Sequence, residues 1–109
     1  MIKTTAAIVI NGRLEVSEED RAVFLAAVRK NVAETRTEEG CLHYTLTSDV
    51  DDPSVFYLIE AWDSQEALDA HLISPGFRAA NAEVSRLRIR SRVFAQFEVR
   101  SQTDPTPIS

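Results

Sequence analysis

The sequence predicts an α+β fold of the ferredoxin-like βαββαβ kind, with one antiparallel sheet carrying its helices on one face. Three observations predict it. Alternating, β-rich runs recur at 4–10, 41–48, 55–62 and 89–99, and capped amphipathic stretches follow the first and third of them. At 109 residues with 44% apolar content, the chain has room for one core. Such a sheet leaves its other face open, and two of them meeting face to face give a dimeric α+β barrel.

The first run, 4–10, is dense in β-branched and small apolar residues on both faces. Asn11-Gly12 is a hairpin signal. A four-residue strand running straight into a helix cap would make an odd hairpin, so the reading favoured here is that Arg13-Leu14-Glu15-Val16 extends the same strand. Ser17 then offers an N-cap, with Glu18, Glu19 and Asp20 in the first turn, where carboxylates suit the helix dipole. Phe24, Leu25, Val28 and Val32 make one stripe, and Gly40 is a C-terminal stop, so the first helix is predicted over 18–37.

From Cys41 the chain alternates, with Leu42, Tyr44 and Leu46 opposed to Cys41, His43, Thr45 and Thr47. After a turn at 49–54, Phe56, Leu58, Glu60 and Trp62 oppose Val55, Tyr57, Ile59 and Ala61. Both faces of this strand are largely apolar, which implies that a second subunit covers the face the helices leave open. Asp63-Ser64 caps the next helix, with Glu66 as capping-box partner and Ala67, Leu68, His71 and Leu72 as its stripe. Ser74-Pro75-Gly76 breaks it, a helical pattern resumes over 77–87, and a last strand alternates Ile89, Ser91, Val93, Ala95, Phe97 and Val99 with Arg90, Arg92, Phe94, Gln96 and Glu98. The domain is expected over 1–100 and a flexible tail over 101–109.

A net charge of −5 argues against a nucleic-acid or anionic-membrane partner, since both need surplus Lys and Arg. One cysteine, Cys41, cannot make an internal disulfide, and the first apolar run is too short for a signal peptide or a span, so a cytoplasmic protein is expected. Cys41 itself reads as a small buried hydrophobe. His43 and His71 are far apart in sequence with no ligand-spaced partner, and Gly12, Gly40 and Gly76 each sit at an element boundary. No metal site, phosphate loop or serine triad is legible, so chemistry without a recognisable cofactor is expected.

Glu39-Gly40-Cys41-Leu42 with Tyr44, then Phe56, Glu60, Trp62, Glu66-Ala67-Leu68, His71, Ser74 and Phe77, resembles the antibiotic-biosynthesis-monooxygenase-like domains, which include cofactor-free quinol oxygenases. The resemblance covers roughly 4–99. It implies the dimeric barrel, a pocket between sheet and helices, and a small aromatic substrate with O2. Two departures stand out. Leu58 occupies the place, four before Trp62, where polyketide-quinone members carry an asparagine, and Asn81 stands where haem-degrading members carry the iron ligand.

His71 is the foremost catalytic candidate, the side chain suited to proton transfer near neutral pH; its plain alternative is a hydrogen-bonded structural histidine. Glu60 shares a face with Trp62, and a buried carboxylate must be paired, protonated or functional. The plain alternative is a salt bridge to an arginine. Trp62, Tyr44 and Phe77 are the candidates for holding a planar ring, against simple core packing. Arg86, Arg88, Arg90 and Arg92 recur at every second position, suited to an anionic substrate, a partner's acids or solvent. The leading function is a cofactor-independent monooxygenase acting on a quinol-like aromatic. The alternatives are a non-catalytic dimer binding a small hydrophobic metabolite, an interaction module, or a cofactor-free isomerase or lyase on the same barrel.

Overall fold

The computed structural model describes residues 5–106. Four strands, β1 (Ile8–Val16), β2 (Cys41–Ser48), β3 (Val55–Trp62) and β4 (Ile89–Glu98), form one antiparallel sheet in the order β2-β3-β1-β4. Helices α1 (Arg21–Thr35), α2 (Gln65–Leu72) and α3 (Pro75–Val84) connect them. Because β3 lies between β1 and β2, and β1 between β3 and β4, each crossover helix joins two strands that run parallel without touching. This is the ferredoxin-like split βαβ pair.

The favoured extension of the first strand is what forms. Asn11-Gly12 does not turn; Gly12 pairs with Leu58 on one side and Phe94 on the other. The Phe94 ring lies across the Gly12 backbone, where any Cβ would collide with it. The predicted start at Thr4 falls outside the described residues, and the strand begins at Ile8. Residues 101–106 carry no helix or strand, and Gln102 Oε1 accepts from Ala6 N at 2.9 Å. The end of the expected tail, 107–109, also lies outside the description.

Three caps differ from expectation. Ser17 makes no side-chain cap bond: a single 3-10 turn, Glu18–Asp20, precedes α1. Glu19 and Asp20 instead hold Arg88, through Arg88 Nη1 at 2.9 Å and Arg88 N at 2.8 Å. The first helix ends at Thr35 rather than near 37, and the chain leaves through Gly40 at φ +83°, the left-handed region that favours glycine. Ser64, not Asp63, caps α2 by accepting from Ala67 N. Ser74 then caps α3 with Pro75 at its first position, so the dipeptide that breaks one helix starts the next.

The inner face of the sheet carries Ile8, Ile10, Leu14 and Val16 from β1 and Phe56, Leu58, Glu60 and Trp62 from β3, all buried. Phe24 of α1 meets Phe56 at 5.0 Å between centroids at one end; Val32, Tyr44, Trp62 and Leu68 pack at the other. α3 contributes no buried residue and rests mainly on α1. The space beneath it is where the site lies.

Candidate active site

Between the sheet and the helices is a cavity of about 350 Å³, within the roughly 300–1,000 Å³ range of small-molecule sites. Its floor is Ile10, Leu14, Leu58 and Phe94; its wall is Phe24, Val28 and Leu68; α3 roofs it with Phe77, Ala80, Asn81 and Val84. Polar groups enter at two places. Asn31, Tyr44, Glu60 and His71 stand on buried wall, while Asn81, Arg92 and Gln96 are exposed at the rim.

His71 belongs to the apolar stripe of α2 and is 2% exposed. Its ring sits among Phe77 at 4.7 Å, Trp62 at 5.0 Å and Tyr44 at 5.3 Å between centroids. Nδ1 lies 2.8 Å from Glu38 Oε1, whereas Nε2 is buried with no hydrogen-bond partner. A carboxylate at Nδ1 favours the tautomer with the proton on Nδ1, which leaves Nε2 as a free lone pair. The Glu38 contact depends on Gly40: the left-handed turn lets Gly40 O accept from Asp63 N at 2.9 Å, and a Cβ there would strike Ala67 and Asp63.

Glu60 is 6% exposed and, among the described residues, makes no ion pair. The arginine partner expected for it is therefore absent. Trp62 Nε1 donates to Glu60 Oε1 at 3.0 Å instead. Burial pushes the Glu60 carboxyl up from its ordinary value, more than the Trp62 bond pulls it down. Tyr44 lies directly across the β2–β3 ladder from Glu60 and accepts from Asn31 Nδ2 at 3.2 Å. Burial, then the Glu60 charge, pushes its phenol well up, so it stays a donor.

Of the five residues expected from sequence, four line the cavity: His71, Glu60, Tyr44 and Phe77. Trp62 does not. It has no exposed surface and stands behind the wall, bracing Glu60 and His71. Two participants are not singled out by the sequence. Asn31 follows Val28 at helical spacing on the inward stripe, a signal that was available, and Glu38 is close to His71 only through the fold; Arg92, one of the alternating arginines, stacks on Phe94 at 4.2 Å from its centroid. The alternating arginines separate: Arg88 pairs with Glu19 and Asp20, and Arg90 approaches Glu15 at 4.0 Å, so those two are held within the chain.

Cys41 is half-buried, and burial, with the Glu38 and Glu60 charges, pushes its thiol up, away from the thiolate a nucleophile needs. His43 lies on the outer side of β2, exposed. Among the described residues no group of three or more His, Cys, Asp and Glu side chains is placed to hold a metal ion, and no helix is long and apolar enough to cross a membrane.

The family model described as antibiotic biosynthesis monooxygenase matches residues 7–83. A Deinococcus radiodurans crystal structure, provisionally named an antibiotic biosynthesis monooxygenase, is similar with a TM-score of 0.84 at 26% identity, covering 92% of this chain and 99% of that one. A Mycobacterium tuberculosis structure is similar at 0.81 and 25% identity, covering 89% and 98%. YcnE of Bacillus subtilis, provisionally named a monooxygenase, is 31% identical over 64 residues, 59% of this chain and 67% of its own length. An uncharacterized Synechocystis protein is 30% identical over 70 residues, which span 64% of this chain and about half, 48%, of that relative.

Proposed function

The chain belongs to the antibiotic biosynthesis monooxygenase family, and from that premise we propose that it oxidises a small electron-rich aromatic, a phenol of the quinol kind, with dioxygen and no bound cofactor, as a homodimer. One observation carries the reading. A buried imidazole, held by a carboxylate at Nδ1 and unpartnered at Nε2, stands on the wall of an apolar cavity large enough for an aromatic ring.

His71 Nε2 takes the phenolic proton, and the anion it leaves is electron-rich enough to pass one electron to O2. The two radicals join at ring carbon as a peroxide. Loss of the carbon-bound hydrogen with cleavage of the O–O bond leaves a carbonyl and a water, so a CH2 or its enol tautomer plus O2 becomes C=O plus H2O. Tyr44 donates to the developing oxyanion, and Glu60, whose carboxyl burial pushes up from its ordinary value, carries the carbon-bound proton to the departing oxygen. Phe77 and Phe94 hold the ring, and the apolar floor excludes water, which strengthens these polar contacts.

The dimer reading rests on the outer face of the sheet. Phe97, Val9 and Ala61 form one row across β4, β1 and β3, and Ala95, Asn11 and Ile59 form the next. Val93, Phe97 and Ile59 are 62%, 49% and 40% exposed. A second copy of the same face would cover this patch.

Oxygen uptake with a panel of quinols tests the proposal. Uptake that requires the quinol and falls about a hundredfold or more in His71→Ala is expected. No uptake by the wild type with any quinol, or an undiminished rate in the variant, overturns it.

A further inference from the structure

His71 is the one residue, among the described residues, that lines both the apolar cavity and a second, acidic hollow. On one side is the apolar cavity. On the other is an acidic surface groove of about 620 Å³ lined by Glu38, Glu39, Asp63, Ser64, Glu66, Ala67 and Ala70. Nδ1 meets Glu38, a groove residue that is 29% exposed on its side chain; the imidazole itself is 1% exposed on its side chain and wedged by Trp62, Tyr44 and Phe77, which leave it no room to swing out. His71 is the one side chain that joins the cavity to this groove, and it already touches an acceptor there.

We propose that His71 and Glu38 form a two-way proton shuttle connecting the cavity to the acidic groove. This rests on the reading of the site given above and assigns a role to Glu38, which never touches substrate. In the outward step the substrate O–H bond breaks and Nε2–H forms, while the Nδ1 proton passes to Glu38 and on to water in the groove. The imidazole is left as its Nε2–H tautomer. In the return step Nε2–H gives its proton back to the oxygen that departs as water, and Nδ1 regains one from Glu38. The balance is closed, with no net proton released and no co-reactant beyond O2.

The charges facing the ring fit this direction. Glu38 adjoins Nδ1, and Glu39, Asp63 and Glu66 keep the groove negative, which holds protons near the outlet. From the sheet side Glu60 is screened by its bond to Trp62, and Tyr44 is engaged by Asn31. Neither has a path to the groove of its own.

Two variants separate shuttling from mere support. Glu38→Gln keeps a carbonyl to accept from Nδ1–H but cannot take the proton; Glu38→Ala removes both and opens the groove to small acids. The first readout needs no turnover: 4-nitrophenol, whose ionised form absorbs at longer wavelength, is added below its solution pKa. The wild type is expected to bind it as the phenolate and Glu38→Gln as the neutral phenol. Binding by the wild type as the neutral phenol overturns the shuttle while leaving the aromatic cavity standing, and no binding at all overturns both readings. The second readout is oxygen uptake with an active quinol. Glu38→Ala is expected to lose about tenfold or more in kcat with KM little changed, and added formate is expected to restore it. A wild-type rate in either variant, or indifference of Glu38→Ala to formate, also overturns the proposal.

Discussion

Trp62 Nε1 donates to Glu60 Oε1 across 3.0 Å, so an indole and a carboxylate two positions apart on β3 satisfy each other on the buried face of the sheet. That bond explains how a carboxyl group is tolerated there without a cation. It also sets a pH signature. Burial raises the folded-state pKa of Glu60 above its ordinary 4.5, so between the two values the folded chain binds more protons than the unfolded one. Stability from this group therefore falls as pH rises through that window and stays lower above it. Glu60→Gln keeps an acceptor for Trp62 and removes the titration. Urea unfolding from pH 4 to 8 is expected to show the variant gaining on the wild type as pH rises from about 4.5. Asp49 and Asp52, held low by Tyr57 and Ser54, act in the opposite sense below 3.8 and are shared by both proteins. A difference that stays constant with pH would count against the assignment.

Asn31 anchors a second buried network, donating to Tyr44 and accepting from Thr35 Oγ1 at 3.3 Å. Asn31→Ala strands the Thr35 hydroxyl, at 0% exposure, and leaves Tyr44 without its donor; a cost of about 1–3 kcal/mol is expected. Because Tyr44→Phe removes the other end of the same bond, the two losses are expected to be non-additive by at least about 0.5 kcal/mol in a double-mutant cycle. Simple addition would mean that the bond contributes nothing.

Gly40 is required twice, by its left-handed backbone and because Ala67 and Asp63 occupy the space a Cβ would need. Gly40→Ala is expected to lose about 1–2 kcal/mol from the backbone alone. Further loss comes from the collision, which pushes the 38–40 turn off α2. The Glu38–His71 contact lies on that turn. The variant should therefore lower oxygen uptake by more than its unfolded fraction accounts for, as measured beside a thermal melt. Activity tracking folded fraction alone would detach the turn from the site.

The parts legible in the sequence are those written in local periodicity. Alternation sorted β2 and β3 each into two faces, putting Glu60 and Trp62 together and Tyr44 opposite His43, and the stripe of α2 carries His71; that Tyr44, Glu60 and Trp62 share the inner face comes from the strand register. What stayed hidden depends on long-range placement. Glu38 reaches His71 across 33 positions through a turn whose φ no pattern encodes. Ser17 looks like a cap, yet its neighbours Glu19 and Asp20 are drawn off to Arg88, a contact spanning 68 and 69 positions. Trp62 was expected to meet a ligand because large aromatics do; its polar edge is taken up by Glu60, which no spacing rule separates from a stacking role.

The outer sheet face gives the last prediction. On β4 the apolar positions Val93, Ala95 and Phe97 point away from the helices, while Arg92, Phe94 and Gln96 share the inner side. A lone domain would distribute them the other way, since burying Val93 and Phe97 would be favourable by about 1.5–3 kcal/mol for each side chain. Phe97→Glu puts a charge into the row with Val9 and Ala61, and in a symmetric pair each copy carries the same change. Sedimentation equilibrium is expected to find a dimer for the wild type and a monomer for Phe97→Glu, with far-UV dichroism unchanged because the side chain is already 49% exposed. Charge at His43, on the outer side of the far edge strand β2, is expected to act more weakly. A wild type that is monomeric at every concentration, or a variant as dimeric as the wild type, would remove this face as the interface.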